Sequence, residues 1–148
     1  MRAPFQTLII LYKESSKEVL YGVFLRRKEN IWQFISGGGE DYETINETAL
    51  RELKEETGID INKNELIKLE ASSTIPVVNI TGRFTWGEKV FVVPEYSFAV
   101  NVTNKKIILS DEHKMMQWMN YNEAISKLKY DSNKTALWEL NERMKRGI

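Results

Sequence analysis

Three glutamates at helical spacing near the middle of the chain are the residues best suited to chemistry. Glu52, Glu55 and Glu56 are separated by three and four positions, so a helix would place them on one face. Carboxylates gathered in this way repel each other unless a cation lies among them, and their hard oxygen atoms suit Mg²⁺ or Mn²⁺. A divalent ion held by carboxylates is a common partner of a phosphate chain. The alternative is a solvated acidic helix face, which is what most runs of charge are.

The residues on either side of the glutamates predict how they are positioned. Residues 37–39 are three glycines, which we expect to form a turn that uses positive φ and approaches a ligand closely. Arg51 lies one turn before Glu55 and can pair with it. Gly58 is placed to end the helix. A solvated acidic face would not explain these residues at these offsets. The apolar positions that repeat at helical spacing and would face a core are Ile45, Ala49, Leu50, Leu53 and Thr57.

The whole segment resembles the Nudix box, G-x5-E-x7-R-E-U-x-E-E-x-G-U, in which U is a bulky apolar residue. All positions of the motif are present, at Gly37, Glu43, Arg51, Glu52, Leu53, Glu55, Glu56, Gly58 and Ile59. The resemblance implies an α/β fold, the Nudix α/β/α sandwich with a mixed β-sheet. It also implies a hydrolase of phosphoanhydride bonds whose cofactor is Mg²⁺, with Mn²⁺ as the alternative.

Shorter matches outside the box resemble one group within this family, the bacterial dihydroneopterin triphosphate or dATP pyrophosphohydrolases. These matches are Arg2-Ala3-Pro4, Arg26-Arg27, Trp32-Gln33, Glu112-His113, Gln117-Trp118 and residues 130–134. The residue pattern Ile35-Ser36 replaces a proline that many Nudix proteins carry near this position. The missing proline weakens an assignment to the dinucleoside polyphosphate hydrolases.

The resemblance implies a role for several individual residues. The implied metal ligands are Glu52, Glu56 and Glu112, with Glu55 also near the metal. The implied substrate contacts are Arg2, Arg26, Ser36 and Ser132, together with the backbone of Gly37 and Gly38. One of Glu52, Glu55 and Glu112 would act as the general base. Arg51 would hold the box glutamates in position by ion pairing rather than touch the substrate. His113 is the only histidine, and we expect an orienting or surface role for it.

These observations lead to one principal hypothesis and two alternatives. The principal hypothesis is an Mg²⁺-dependent pyrophosphohydrolase that converts a nucleoside or dihydroneopterin triphosphate to the monophosphate and pyrophosphate. The first alternative is a hydrolase of dinucleoside polyphosphates, ADP-ribose or nucleotide sugars. The second is a non-catalytic nucleotide-sensing module, which is disfavoured because such modules usually lose acids of the box.

Composition narrows the class of partner. The chain has 148 residues, of which 42% are hydrophobic, and we expect one domain spanning residues 1–148. The 21 basic residues balance the 21 acidic residues, which argues against a nucleic-acid polymer or a membrane surface as the partner. The absence of cysteine excludes disulfides, and the N-terminus lacks the pattern of a signal peptide, so we predict a cytoplasmic protein. Oligomeric state stays open, with a homodimer through a sheet edge near Pro94 as one alternative.

The remaining elements are predicted from apolar periodicity and turn residues. Strands are expected over residues 7–12, 18–27, within 65–78, and over 89–102, 107–109 and 115–119. A bulge or an edge position is expected at Pro94. Residues 81–87 are expected to form a loop that packs on the surface or closes over a substrate. Helices are expected over residues 121–128 and from about residue 132 to 145, the second of them capped by Ser132 or Asn133.

Overall fold

One mixed β-sheet organises the molecule in the computed structural model, which describes residues 2–80 and 86–148. Seven strands make up this sheet in the described ranges: β1 (Arg2–Glu14), β2 (Val19–Arg26), β3 (Trp32–Gln33), β4 (Ile35–Glu40), β5 (Leu66–Pro76), β6 (Val92–Asn101) and β7 (His113–Met119). The helices are α1 (Ile45–Thr57), α2 (Tyr121–Lys127) and α3 (Asp131–Arg146), and short 3₁₀ turns span Lys63–Glu65 and Val77–Asn79.

Strand β1 is the centre of the sheet. It pairs antiparallel with β2, antiparallel with β4, and parallel with β6. The sheet continues from β6 to β5 and from β2 to both β3 and β7, all antiparallel. The single parallel pair makes the sheet mixed, and the predicted α/β sandwich is confirmed.

Each face of the sheet packs against its own helical layer. Side chains of β1 alternate between the two layers, so Ile9 and Leu11 pack with α1 while Leu8 and Ile10 pack with α2 and α3. Buried residues of α1 include Ala49 and Leu53. The fully buried positions of α3 that pack in the other layer are Ala136, Leu137 and Leu140.

Helix α1 begins and ends where the sequence indicates. Thr44 caps its N-terminus through a capping box with Glu47, in which each side chain accepts a hydrogen bond from the other residue's backbone N–H. Gly58 has φ of 74° and closes the C-terminus, with its N–H donating to the carbonyl of Lys54. The predicted helix stop is therefore confirmed.

Several local predictions were wrong. Residues 107–109 form no strand; the backbone N–H of Ile108 donates to the carbonyl of Thr57, which ties this segment to the end of α1. Helix α3 begins after Tyr130 without a side-chain cap, so neither Ser132 nor Asn133 caps it. Of the two alternatives expected at Pro94, the bulge is not observed, because the register shift between β5 and β6 lies between Lys68 and Ser72.

Pro94 does occupy an edge position on one side. It pairs with Thr74 of β5, whereas the pairing of β6 with β1 begins only at Glu95. The loop predicted over residues 81–87 falls mostly on 81–85, which lie outside the described residues. In the described part, Trp86 donates a hydrogen bond from Nε1 to the carbonyl of Arg2 at 2.6 Å. No described helix is long and apolar enough to cross a membrane.

Candidate active site

A cavity of about 820 Å³ lies between α1, the glycine-containing strand β4 and the start of α3. This volume is within the range of small-molecule sites. Its acidic and basic lining residues are Arg2, Arg26, Glu29, Glu40, Arg51, Glu52, Glu55, Glu95 and Glu112. Its uncharged polar lining includes Gln6, Gln33, Ser36, Asn79, Ser132 and Asn133. All the predicted substrate contacts and all the predicted catalytic residues therefore lie in one cavity.

The three glycines act by close approach and do not form the predicted turn. Gly37, Gly38 and Gly39 belong to β4, and none of them has positive φ. A Cβ atom on Gly37 would collide with the Glu52 carboxylate, and one on Gly38 would collide with the guanidinium of Arg2. The expectation of positive φ was therefore wrong. Glycine is needed here because charged side chains lie directly against the strand.

Arg51 is the centre of the charge network on α1. Its Nε and Nη2 donate to the two carboxylate oxygens of Glu43 at 2.7 and 3.0 Å, a bidentate pair. Its Nη2 also donates to the carbonyl of Gly38 at 2.9 Å, which joins the helix to β4. Its Nη1 donates to Glu52 at 2.9 Å and to Glu55 at 3.3 Å. These contacts agree with the predicted positioning role, because the guanidinium donates its hydrogen bonds to groups of the protein.

Arg51 and burial move the pKa values of two carboxyl groups in opposite directions. The hydrogen bonds from Arg51 lower the pKa of Glu43 to about 2, against an opposing effect of burial. Burial raises the pKa of Glu52 to about 7, and although Arg51 opposes this rise, the charges of Glu55 and Glu56 add to it. The two carboxyl groups therefore differ in protonation: Glu43 stays ionised, while Glu52 can exchange a proton near neutral pH.

Glu56 has a different environment from the other box glutamates. It is only 4% exposed and does not line the cavity. Its Oε2 accepts a hydrogen bond from Ser110 Oγ at 2.7 Å and lies 3.0 Å from Nδ1 of His113. Burial raises the pKa of Glu56, but the close contact with His113 and the hydrogen bond from Ser110 outweigh it, and the net shift is downward. An ionised Glu56 therefore secures the loop that carries Glu112 to the cavity.

His113 lies in the interior, which excludes the surface alternative. It is 3% exposed, and its ring packs on Phe24 with centroids 5.1 Å apart. Its Nε2 has no hydrogen-bond partner among residues 2–80 and 86–148. Contact with Glu56 agrees with the predicted orienting role.

The predicted convergence of three glutamates on one point is not observed in the described ranges. No group of three or more acidic or histidine side chains there is arranged to hold a metal ion. Glu52 and Glu55 are drawn toward Arg51, while Glu56 is drawn toward Ser110 and His113. The donor chemistry nevertheless suits a hard divalent cation, because carboxylates of Glu52, Glu55 and Glu112 line the same cavity. Their roles as metal ligands stay a prediction.

The two arginines predicted to contact substrate are held at the cavity by neighbouring groups. Arg26 donates from Nε to Glu29 at 2.7 Å. Arg27, which follows it, donates instead from Nε to the carbonyl of Asp111 at 3.0 Å, so the two side chains diverge. Arg2 packs over Gly38, as the crowding at that glycine shows. These positions leave guanidinium groups beside the carboxylates, as a metal–phosphate site requires.

Sequence reasoning missed a second polar group deeper in the cavity, formed by Gln6, Gln33 and Glu95. The available signal was strand periodicity: in β6 the positions 93, 95, 97 and 99 are all buried. An acid at an inward position of an apolar strand is unusual unless it is paired or functional. The alternate positions of β6, which include Tyr96 and Phe98, face α1 instead.

The mixed sheet between helical layers, with a cavity lined by carboxylates and arginines, defines the class as a phosphoanhydride hydrolase of the Nudix fold. The sequence profile of the NUDIX domain matches residues 5–139, and the chain belongs to the Nudix hydrolase family. Nudix hydrolases act on small nucleotide-type molecules and generally use divalent metal ions.

Individual relatives agree with this assignment. A protein from Listeria monocytogenes described as a NUDIX hydrolase has a structure with a TM-score of 0.86 and 40% identity, covering 98% of this chain and 97% of that one. Dihydroneopterin triphosphate diphosphatase of Escherichia coli K12 is 27% identical over 139 residues, covering 92% of this chain and 91% of its own length. A structure of the E. coli dihydroneopterin triphosphate pyrophosphohydrolase gives a TM-score of 0.75 with 25% identity, covering 95% and 97% of the two chains.

Proposed function

We propose that this protein is an Mg²⁺-dependent pyrophosphohydrolase of a nucleoside triphosphate or of dihydroneopterin triphosphate. The products are the monophosphate and pyrophosphate. The observation that carries the proposal is the single cavity that joins the carboxylates of Glu52, Glu55 and Glu112 to the guanidinium groups of Arg2 and Arg26. The similarity to dihydroneopterin triphosphate diphosphatases over most of the chain supports the choice of a triphosphate.

In this proposal the carboxylates bind the metal ion and the arginines bind the phosphates. Glu52, Glu55 and Glu112, which line the cavity, are the residues that would hold Mg²⁺, which when bound neutralises phosphate charge and acidifies water. Glu56 would support them from the buried side, where its contacts with Ser110 and His113 hold the loop that carries Glu112. Arg2 and Arg26 bind phosphate oxygens by charge-assisted hydrogen bonds. Gly37 and Gly38 let the Glu52 carboxylate and the Arg2 guanidinium lie directly against the strand, which brings a carboxylate and a guanidinium to the same wall of the cavity.

Proton transfer is assigned to Glu52. The assignment rests on position, because Glu52 lines the cavity beside Glu55 and Glu112. Burial raises the pKa of Glu52 to about 7 in the absence of a metal ion, and a cation bound nearby would lower it again. Its Oε1 accepts from Arg51 Nη1 at 2.9 Å, which fixes the direction of the carboxylate. Arg51 is a positioning residue, since its contacts with Glu43 and Gly38 fasten the helix to β4.

A substrate panel tests the proposal and separates it from its alternatives. Purified protein is incubated with Mg²⁺ and with nucleoside triphosphates, dihydroneopterin triphosphate, ADP-ribose, a dinucleoside tetraphosphate and a nucleotide sugar. Pyrophosphate and a monophosphate released from triphosphates alone support the proposal. AMP and ribose phosphate from ADP-ribose would favour the other hydrolase. Saturable binding with no turnover of any substrate would indicate a nucleotide-sensing module.

A further inference from the structure

The deep end of the cavity contains a buried carboxyl group that has no catalytic assignment. Glu95 is 3% exposed, and its Oε2 accepts a hydrogen bond from Gln6 Nε2 at 3.1 Å. Its Oε1 has no hydrogen-bond partner in the part of the chain that the structure describes. Ser132 lies close enough to lower the pKa of Glu95, but its hydroxyl makes no bond of good geometry to Oε1, and burial keeps the net pKa shift upward. An unpartnered buried carboxyl oxygen is costly, so a ligand that supplies N–H donors would stabilise it.

A buried amide supplies the complementary donor. Gln33 is 5% exposed and lines the same cavity, and its Nε2 lacks a partner among the described residues. The neighbouring backbone is rigidly placed, because the N–H of Phe34 donates to Asn133 Oδ1 at 2.8 Å. The cavity therefore offers one unfilled acceptor and one unfilled donor on fixed supports.

The register of the sheet places this polar group at a defined distance from the phosphate end. Glu95 pairs with Gln6, and Gln6 pairs with Gly38, across the adjacent strands β6, β1 and β4. Two steps across a sheet at about 4.8 Å each separate the backbones of Glu95 and Gly38 by about 10 Å. Arg2 lies against Gly38, and Arg2 and Glu95 line the same cavity, so the cavity has room for phosphates at Arg2 and a heterocycle at Glu95.

We propose that Glu95 and Gln33 select a heterocycle with a 2-amino-4-oxo edge, the arrangement of an exocyclic amine, a ring N–H and a carbonyl found in guanine and in pterins. This inference rests on the proposed function, since it names the substrate class of the same cavity. The carboxylate of Glu95 accepts from the amine and the ring N–H, and the amide of Gln33 donates to the carbonyl.

Other bases satisfy fewer of these groups. Adenine presents a ring-nitrogen acceptor where the 2-amino-4-oxo edge has a ring N–H, and it has no carbonyl for Gln33. Hypoxanthine has the carbonyl and the ring N–H but lacks the exocyclic amine. A site whose buried polar groups stay unpaired discriminates strongly against such analogues.

Wild-type protein tests this without any substitution. Pyrophosphate release is measured with Mg²⁺ for GTP, ITP and ATP, which differ only in the base. We expect kcat/KM for GTP to exceed that for ITP and ATP by about 10- to 100-fold, the range for a bidentate base contact. Equal kcat/KM values for GTP and ITP would overturn the inference while leaving triphosphate hydrolysis intact.

Two substitutions assign the preference to residues. Glu95→Gln conserves volume and should lower kcat/KM for GTP by about 10-fold or more while changing that for ITP by less, so that the GTP/ITP ratio falls. Gln33→Leu should reduce GTP and ITP together, since both carry the carbonyl. Glu70→Gln is the matched control, because Glu70 is an exposed acid of β5. An unchanged GTP/ITP ratio in Glu95→Gln would contradict the assignment.

Binding measurements keep the two proposals separate. If no triphosphate is hydrolysed, the proposed function fails, and calorimetric titration of wild-type protein with GMP and IMP then decides the inference. Tighter binding of GMP supports recognition of the 2-amino group, and equal affinity overturns it. If Glu95→Gln does not fold, as judged by circular dichroism, the wild-type comparison of GTP with ITP still decides.

Discussion

The carboxylate of Glu52 occupies the space that a side chain on Gly37 would need. This relationship connects two positions of the Nudix box, since Gly37 lies on β4 and Glu52 on α1. A glycine at this extended-strand position therefore lets the Glu52 carboxylate keep its place, which an added Cβ would force it to leave. Glu52 is thereby held against the wall of the cavity that carries the arginines.

Substituting Gly37 tests this relationship. In Gly37→Ala, the new methyl group should displace the Glu52 carboxylate and lower kcat/KM for the best triphosphate by about 100-fold, the effect of misplacing a catalytic group by about 1 Å. Gly22→Ala is the matched control in β2, because the nearest atom to its added Cβ would be 3.4 Å away. Equal activity of the two variants would show that Glu52 needs no such placement.

Glu43 should make the stability of the protein sensitive to acid. Arg51 lowers the pKa of Glu43 from 4.5 to about 2, so this ionised pair stabilises the fold above about pH 4.5 and loses its effect as the pH falls toward 2. Glu43→Gln should therefore melt at a lower temperature than wild type at pH 7, with the difference shrinking on acidification. Thermal melts over this range check it. A difference that is independent of pH would mean that the pair does not control stability.

Glu52 should have the opposite dependence when no divalent metal is present. Burial raises its pKa from 4.5 to about 7, so the protonated form favours folding, and that advantage is lost as the pH rises from 4.5 through 7. Because Gln mimics the protonated acid, Glu52→Gln should gain stability relative to wild type between these values. Melting in the presence of a chelator at several pH values measures this. Parallel curves for the two proteins would exclude the raised pKa.

Substituting Glu56 should reduce turnover without unfolding the protein. Glu56→Gln keeps the size of the side chain but removes the charge next to His113, and we expect turnover to fall by about two to four decades with the fold retained. Glu123→Gln, on the exposed face of α2, controls for the same chemical change. Steady-state kinetics with circular dichroism decides the outcome. Unchanged turnover would remove Glu56 from the proposed machinery.

Elements that depend on neighbouring residues in the sequence could be predicted from the sequence. Helix α1 has its apolar stripe and its terminal glycine, and β1 and β2 have clear apolar runs, so their presence followed from short-range pattern. Arg51 and Glu55 are one helical turn apart, and their contact at 3.3 Å was predictable from that spacing.

Features that depend on distant partners were not predictable. The glycines of β4 look like a turn until Arg2 and Glu52 are placed against them. Residues 107–109 have the composition of a strand, yet Ile108 is 62% exposed because the segment bonds to the end of α1. Asn133 has the residue type and position of a helix cap, but its Oδ1 accepts a hydrogen bond from the N–H of Phe34, which lies 99 positions away in the sequence.

Dependence of product formation on a divalent ion tests the central claim most directly. Wild-type protein is treated with a chelator, incubated with a triphosphate, and then supplied with increasing Mg²⁺ while the monophosphate, pyrophosphate and phosphate are quantified. The account predicts no turnover before Mg²⁺ is added and equal amounts of monophosphate and pyrophosphate afterwards. Turnover that persists in the chelator, or the release of single phosphates in place of pyrophosphate, would contradict it.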